Sequence, residues 1–224
     1  MKYESFKKNG YIFPPRPEYK CPAGELDKYD NGQYLAQPKY NGTCVPIFTN
    51  GDELHVFNRH KERLALLNNY KGIEFRKLAV TQNWYVYVGE YLNKGKYGET
   101  GVKERDKFII WDVLVWDGNY LIGSTLTERL DLLESIFPCK RAVVGTNTGL
   151  EVYDHLCCTQ FNGIYKAPTY MGNFAELYKQ IVKVDLYEGL VLKKKDSKLS
   201  FGTQELNNHD WQIKCRKETK NYAF

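Results

Sequence analysis

The sequence predicts a mixed α+β domain in which antiparallel strands dominate. Short segments rich in β-branched and aromatic residues, bounded by turn signals, predict strands along most of the chain. Two other segments repeat apolar residues at helical spacing behind capping signals and predict helices. The 224 residues contain no internal repeat and no low-complexity linker, which indicates a single domain spanning residues 1–224.

The beginning of the chain is predicted to be extended. Residues 1–30 are rich in Tyr, Lys and Pro, and the run Phe13-Pro14-Pro15-Arg16-Pro17 excludes a helix there. We therefore expect a lead-in that wraps over the surface of the domain. A first strand should follow and end near Gln37-Pro38.

Further strands follow in the first half of the chain. The hairpin signal Thr49-Asn50-Gly51-Asp52 joins two predicted strands at residues 44–48 and 54–58. Residues 84–88 alternate aromatic and β-branched side chains, as a strand does. The almost continuous apolar run at residues 108–115 predicts a central, buried strand.

Two helices are predicted from their capping patterns. Thr125-x-x-Glu128 is a capping box that opens the first helix, and Pro138 ends it. Asn173-x-x-Glu176 opens the second. The inward faces are expected to consist of Leu130, Leu133 and Ile136 in the first helix and Leu177, Ile181 and Val184 in the second. Strands at residues 189–193 and 211–214 complete the fold.

Composition limits the class of protein without deciding its partner. The net charge of +5 is compatible with a polyanionic partner and equally with an ordinary surface. The six cysteines form no C-x-x-C pattern and are expected to be reduced and mostly buried, in an intracellular, cytoplasmic protein. The four histidines lack ligand spacing, so no structural zinc site is expected. No apolar run approaches membrane-spanning length, so no membrane partner is expected either.

Five short segments carry residues suited to nucleophilic chemistry. Lysine amines are protonated at neutral pH, so a nucleophilic lysine needs nearby cations or desolvation that favour the neutral amine. Lys214 and Arg216 alternate along a predicted strand, so their side chains share one face and can supply a positive field. The segments are Lys39-Tyr40-Asn41-Gly42-Thr43, Val88-Gly89-Glu90, Ile110-Trp111-Asp112-Val113-Leu114, Glu188-Gly189-Leu190-Val191-Leu192-Lys193 and Ile213-Lys214-Cys215-Arg216.

In this order and spacing the five segments resemble the motifs of the covalent nucleotidyltransferases, the superfamily of ATP-dependent DNA ligases, RNA ligases and mRNA capping enzymes. The resemblance runs from about residue 34 to residue 217. It implies the adenylation-domain fold, in which two mainly antiparallel sheets form a central nucleotide cleft and helices flank them. It also implies that Lys39 attacks the α-phosphate of a nucleotide and carries the nucleoside monophosphate as a phosphoramidate.

The resemblance further implies ATP and Mg²⁺ (or Mn²⁺) as cofactors, with Glu188 tied to the metal and Glu90 either binding the ribose or supporting the metal. Gln37 falls where relatives recognise the adenine edge, which needs an amide that both donates and accepts. Trp111 takes the aromatic position that stacks on the purine, and a core tryptophan is the alternative. The nucleotide-binding residues implied are Gln37, Lys39, Arg59, Glu90, Trp111, Glu188, Lys214 and Arg216.

Three other residues receive weaker interpretations. Arg59 resembles an arginine that contacts the ribose or the 5′-phosphate of an acceptor strand. Lys193 could touch phosphate or nucleic acid, or be solvated. Arg129 is interpreted as structural, held by a neighbour on its own helix or by a backbone carbonyl.

The chain departs from its relatives at three points. Asn41 replaces the usual Asp of the first motif, and Cys44 stands where DNA ligases and capping enzymes usually carry Arg. The pair Gly42-Thr43 instead resembles the first motif of some RNA ligases. No C-terminal OB domain follows Arg216, which is expected of a minimal ligase, of a shortened chain, or of a domain whose accessory piece is supplied by another polypeptide.

The interpretation favoured by these features is an ATP-dependent RNA ligase that joins 5′-phosphate and 3′-OH ends of nucleic acid through a lysyl-AMP intermediate. A minimal ATP-dependent DNA ligase is the first alternative. A non-catalytic nucleic-acid-binding domain of the same fold is the second. A capping-type guanylyltransferase is disfavoured because it needs an OB domain.

Overall fold

Two sheets dominate the fold, which we describe from a computed structural model covering residues 3–4, 11–64, 72–138, 143–145, 151–153, 155–202 and 207–218. The smaller sheet has four strands in the order β1-β15-β14-β2. Only β1 and β15 run parallel in it, and the other pairs are antiparallel. Its strands are β1 (Arg16–Lys20), β2 (Tyr34–Tyr40), β14 (Tyr187–Lys194) and β15 (Asn208–Arg216).

The larger sheet has seven strands in the order β12-β13-β8-β5-β3-β4, with β9 added beside β8. Its pairs are antiparallel except for β13 with β8. The strands are β3 (Thr43–Thr49), β4 (Leu54–Val56), β5 (Tyr85–Tyr91), β8 (Phe108–Trp116), β9 (Asn119–Tyr120), β12 (Cys157–Cys158) and β13 (Ile164–Lys166). Two separate ribbons are formed by β6 (Lys96–Tyr97) with β7 (Lys103–Glu104) and by β10 (Val143–Gly145) with β11 (Glu151–Tyr153).

Within the described residues, two α-helices pack on these sheets, as the sequence predicts. Helix α1 (Leu126–Ile136) begins at the predicted capping box, in which Thr125 and Glu128 exchange hydrogen bonds, and it packs on β8. Helix α2 (Phe174–Ile181) begins after Asn173 and packs on β14 and on the 3-10 helix Ala23–Tyr29. A second 3-10 helix spans Phe75–Leu78.

Two local predictions need correction. Asn173 makes no capping hydrogen bond with its side chain, since it adopts a left-handed conformation (φ 55°), so it starts α2 without acting as the predicted cap. Residues 11–30 form the predicted extended surface segment only in part, since β1 is an extended strand with exposed residues but other residues of the range are buried. Ile12 is fully buried, and β1 pairs with β15 inside the smaller sheet, because Pro-rich segments can join a sheet at its edge.

The buried apolar side chains of the described residues form three hydrophobic clusters. One cluster joins β2, β14 and β15 to Phe174, Leu177 and Ile181 of α2. A second fills the space between the larger sheet and α1, and a third gathers aromatic residues from the N-terminal segment. Trp111 packs against the first and the third cluster, so it lies where the two sheets meet.

The cysteines follow the prediction of reduced thiols only in part. Cys21, Cys44, Cys158 and Cys215 are free, whereas Cys157 is disulfide-bonded. The absence of C-x-x-C spacing carries no information about a bridge to a residue distant in the sequence, so this prediction was wrong for Cys157. Neither described α-helix is long and apolar enough to cross a membrane.

Candidate active site

Lys39 lies near the end of β2, where its amine donates a hydrogen bond to the carboxylate of Glu188 on β14. The two residues are 149 positions apart and meet because Lys39 pairs with Gly189 across the ladder. The register shifts between Tyr187 and Gly189, which leaves Glu188 as the additional residue. Such an irregularity re-aims a side chain, and here it brings the carboxylate onto the lysine.

Two cations of β15 complete this contact. Arg216 Nη2 lies 3.1 Å from Glu188 Oε2, so one carboxylate serves both Lys39 and Arg216. Lys214 is two residues earlier on the same strand and faces the same side. Burial lowers the pKa of Lys214, and the charges of Lys20, Lys39, Arg16 and Arg216 add to the effect. The positive field predicted from the alternation of residues 214 and 216 is therefore present around Lys39.

Glu90, on β5, approaches the short segment that joins β2 to β3. Its Oε1 accepts a hydrogen bond of 3.1 Å from the backbone N–H of Gly42. A Cβ atom at Gly42 would lie 2.5 Å from the carbonyl oxygen of Tyr91, so only glycine allows this approach. Burial raises the pKa of Glu90 to about 7, while Lys39 opposes the rise and Glu188 adds to it.

Gln37, Lys193 and Trp111 form a second, buried group beside Lys39. Lys193 Nζ donates to Gln37 Oε1 at 2.7 Å and lies 4.4 Å from the centroid of the Trp111 ring. Gln37 Nε2 donates a hydrogen bond of 3.4 Å to the carbonyl oxygen of Trp111. The interpretation of Lys193 as a solvated lysine is wrong, because the residue is 2% exposed. The Gln37 amide accepts from Lys193 and donates to Trp111, so its second N–H is the part that remains for a base.

Trp111 reaches the cleft through a second irregularity. Val88 pairs with Asp112 and Gly89 with Ile110, so the ladder between β5 and β8 leaves out Trp111, as it leaves out Leu114 further along β8. Its ring is only partly buried and lines the cleft, in line with the stacking position predicted for it.

The cleft that contains Lys39 has a volume of about 220 Å³. Seven of the eight predicted site residues line this cleft. The eighth, Glu188, does not line it but accepts a hydrogen bond from Lys39, which does. A neighbouring cavity of about 380 Å³ shares Gln37 and Trp111 but is otherwise lined by α1 and residues 166–169. The residues lining the cleft are Pro15, Arg16, Pro17, Gln37, Pro38, Lys39, Tyr40, Cys44, Arg59, Glu90, Trp111, Val191, Lys193, Gln212, Lys214 and Arg216.

Arg16 and Gln212 line the cleft but are absent from the sequence-based prediction. Lys193 was considered there, but its burial was not predicted. A signal for Gln212 exists, since it precedes Lys214 by two residues and so shares its strand face. Arg16 lies in the Pro-rich segment, which offers no periodicity that could have placed it.

Arg129 lies outside the cleft lining and is structural, as predicted. Its guanidinium forms a bidentate pair with Asp112, with Nε to Oδ1 at 2.9 Å and Nη2 to Oδ2 at 3.0 Å. Its Nη1 donates to the carbonyl oxygen of Ser124 at 2.9 Å. The partner therefore lies on β8, next to Trp111, rather than on its own helix.

Replacing Lys193 with methionine is expected to remove a pH dependence of stability. Burial lowers the pKa of Lys193 to about 8, with Asp112 opposing the shift. The unfolded chain, with a pKa near 10.4, binds more protons than the folded chain between these values, so folding stability rises with pH in that window by up to about 3 kcal/mol.

The measurement is urea unfolding of the wild-type and Lys193→Met proteins at about pH 7.5 and about pH 9.5. The stability of the wild type should rise relative to that of the variant at the higher pH. A parallel response of both proteins would show that Lys193 is not desolvated as described.

No protein-family model matches the chain. DNA ligase 2 of Thermofilum pendens is 30% identical over 134 residues, which cover 52% of this chain and 22% of that protein. The chain thus spans about a fifth of the length of the curated relative that it matches.

Solved ligase structures share the fold. The ligase domain of M. tuberculosis LigD has a TM-score of 0.61 at 17% identity, over 92% of this chain and 59% of that one. A mycobacterial DNA ligase D complexed with ATP and MES has a TM-score of 0.61 at 16% identity, over 92% and 60%. A structure from a study of Lig E DNA ligases has a TM-score of 0.52 at 15% identity, over 92% and 70%.

The resemblance implied by the five motifs is thereby confirmed at the level of the fold, and the motifs converge on one cleft. The chain has the fold of these DNA ligase domains, which is the nucleotidyltransferase fold that the motifs imply.

Proposed function

We propose that this chain is the nucleotidyltransferase domain of an ATP-dependent polynucleotide ligase in which Lys39 becomes adenylated. The observation that carries the proposal is the contact of Lys39 with Glu188, which Arg216 also contacts, in a cleft lined by Lys214. An ordinary surface lysine beside a turn would not be expected to share a carboxylate with an arginine and to have a second lysine nearby.

The chemistry follows from these positions. Lys39 Nζ attacks the α-phosphorus of ATP, a P–N bond forms, and the bond to pyrophosphate breaks. Glu188 already accepts a hydrogen bond from the Lys39 amine, so it is in place to take the proton that the amine must lose. Lys214 and Arg216 stabilise the negative charge on the phosphate oxygens as the displacement proceeds.

The later steps use the same groups in a different order. The AMP is passed from Lys39 to a 5′-phosphate of the nucleic acid, and a 3′-OH then attacks that phosphate and releases AMP. Arg59 lines the cleft and supplies a further cation for a phosphate of the acceptor strand.

The purine is proposed to lie against Trp111 and Val191, the aromatic and aliphatic residues that line the cleft together with Gln37. Stacking on an aromatic face contributes about 1–3 kcal/mol per base. The Gln37 amide is oriented by Lys193 and by the carbonyl oxygen of Trp111, so it has one N–H left for an acceptor on the base.

The carboxylates of the cleft can hold a divalent cation only if water and substrate phosphates supply its remaining ligands. Within the described residues, no group of three or more His, Cys, Asp or Glu side chains could hold a metal alone. Mg²⁺ typically takes one or two carboxylates and completes its shell with water and substrate phosphates. Glu188 and Glu90 are the carboxylates that would hold it, and it would neutralise the triphosphate charge.

Glu188→Ala is expected to lower the rate of adenylation by at least about 100-fold, the lower end of a proton-transfer contribution. Glu188→Gln should keep the fold, because the amide fills the same space, but not the rate, because it offers no charge to Lys39, Arg216 or the metal. Exposed Glu176, which pairs with Lys179, provides the matched control as Glu176→Gln. Near wild-type labelling by Glu188→Ala would end this assignment.

DNA is the substrate that we now favour, in place of RNA. The named relatives are DNA ligases, which supports the alternative raised from the sequence rather than its first choice. The sequence argument for RNA rested on Thr43 and Cys44. Asn93 donates a hydrogen bond of 3.1 Å to the Thr43 hydroxyl, so this side chain already has a partner within the protein, and Cys44 lies among Arg16, Lys39 and Arg59 without itself bringing a cation.

The test compares nicked duplexes that are all DNA, all RNA, or DNA with two ribonucleotides at the 3′-OH end. The protein, ATP and Mg²⁺ are held fixed at low salt, and sealing rates are measured. We expect the all-DNA nick to be sealed at least as fast as the others. Sealing that requires ribonucleotides at the 3′-OH would restore the RNA interpretation.

The same samples separate an enzyme from a binding module. Covalent transfer of label from ATP to the protein is expected of an enzyme. Tight binding of nicked duplexes without any label would favour the non-catalytic alternative.

A further inference from the structure

Two buried donors in the wall of the cleft have no hydrogen-bond partner within the described part of the chain. They are Arg16 Nη1 on β1 and Gln212 Nε2 on β15. Both residues line the cleft that contains Lys39. The Tyr11 hydroxyl is a third such atom, but Tyr11 is not among the lining residues.

Such donors are rare in folded proteins, where more than nine in ten buried polar groups are paired. Gln212 is only 1% exposed, so its amide is fixed in the wall rather than free to turn into solvent. Two unpaired donors on adjacent strands of one cleft therefore indicate that the cleft binds an acceptor there.

The charge around these donors defines the acceptor. Arg16 acts on two groups of the cleft: it helps to lower the pKa of Lys214, after burial and the nearer lysines, and it opposes the burial that raises the pKa of Cys44. Lys39 and Arg59 act on Cys44 in the same sense as Arg16, and the three cations oppose the carboxylate of Glu90. This end of the cleft is thus cationic, and an anion with several oxygen acceptors is the complementary ligand.

The strand geometry extends this field away from the reacting lysine. Gln212, Lys214 and Arg216 alternate along β15, with about 7 Å between successive members. Arg216 meets Glu188 beside Lys39, so Gln212 marks the far end of the row. An arginine fork at that end suits a phosphate, whose oxygens accept two parallel hydrogen bonds.

We propose that Arg16 and Gln212 form, with Lys214, a phosphate subsite at the β1–β15 end of the cleft. The proposal rests on the proposed function for the source of the phosphate, which is either the pyrophosphate portion of ATP or a backbone phosphate of the nucleic acid. In both cases Arg16 and Gln212 hold an oxyanion that is not the one attacked by Lys39, and Lys214 lies between the two positions on β15.

The first experiment is a calorimetric titration with inorganic pyrophosphate, which needs no turnover. Arg16→Ala is expected to weaken binding by about 10- to 100-fold, the loss typical of one hydrogen bond to a charged group. Gln212→Met keeps the volume, removes the amide and should weaken binding by about 10-fold. Arg105→Ala, at a side chain that is 64% exposed and paired with Asp106, removes the same charge elsewhere and should change nothing.

Thermal melting of each variant checks the fold. Should Arg16→Ala fail to fold, Arg16→Lys, which keeps the charge but loses the fork, and Gln212→Met carry the test. Pyrophosphate affinity that is unchanged in folded Arg16 and Gln212 variants would overturn the proposal.

Two further assays identify the source of the phosphate. If the subsite holds the ATP tail, Arg16→Ala should raise the KM for ATP in lysyl-AMP formation and leave sealing of a pre-adenylated nick unchanged. If it holds a backbone phosphate, the reverse is expected. A variant that is unaffected in both assays would refute the subsite. If the wild-type protein takes up no label from ATP, the proposed function is refuted. The pyrophosphate titration would still test the subsite, because it needs no turnover.

Discussion

Replacing Lys39 with alanine is expected to abolish the covalent protein–AMP adduct while leaving the fold intact. The amine is the nucleophile, and no other lysine shares the carboxylate of Glu188 among the described contacts. The side chain is 26% exposed in the cleft, and Glu188 keeps Arg216 as a partner, so little stability should be lost.

The measurement is incubation with α-labelled ATP and Mg²⁺, followed by peptide mapping. Label should be found on the peptide that contains Lys39 and disappear in Lys39→Ala. Lys179→Ala is the matched control, because this lysine is 68% exposed and lies on the outside of α2. Recovery of AMP mainly on another lysine would contradict the assignment.

Replacing Arg129 with methionine is expected to destabilise the domain by about 3–5 kcal/mol, because it leaves the Asp112 carboxylate buried without its cation. Both side chains are 0% exposed and are joined by two hydrogen bonds. A change of this size removes a large part of the 5–15 kcal/mol, roughly, by which native domains are stable.

Urea unfolding of three variants measures this effect. Arg129→Met and Asp112→Leu should each lose several kcal/mol, whereas the double variant should lose less than the sum of the two. The exposed pair Lys28–Glu25 serves as the control, since Lys28→Ala should cost no more than about 1 kcal/mol. A loss of that small size in Arg129→Met would show that the buried pair is not structural.

The sequence predicted most of the fold because local patterns determine most of its elements. The capping box at Thr125 and Glu128 begins α1, and the apolar run at residues 108–115 is β8 within one residue. The lead-in was misjudged because its partner strand, β15, lies at the other end of the chain. No local pattern reports such a pairing, and the prolines favour an edge strand as much as a loop.

The candidate site also has a part that the sequence predicts and a part that depends on contacts between distant strands. Residues in ordered motifs, such as Lys39 and Glu188, could be named because the resemblance fixes their order. The buried state of Lys193 could not be predicted, since it depends on Gln37 and Trp111 from two other strands. The register irregularities at Glu188 and Trp111 could not be predicted either. A bulge shifts the phase of the alternation between apolar and polar residues, and the almost continuously apolar β8 has no such alternation to shift.

The strand order β1-β15-β14-β2 has a consequence for how the site comes into being. This sheet joins the first strands of the chain to its last strands, whereas hairpins such as β3–β4 in the larger sheet close over a few residues. Contacts between distant segments form slowly, since their loop-closure entropy must be overcome first. We therefore expect the larger sheet to fold early and the contact between Lys39 and Glu188 to form last. Opening of β1 and β15 would dismantle the site while the rest of the domain stays folded, and hydrogen exchange at their amides would report it.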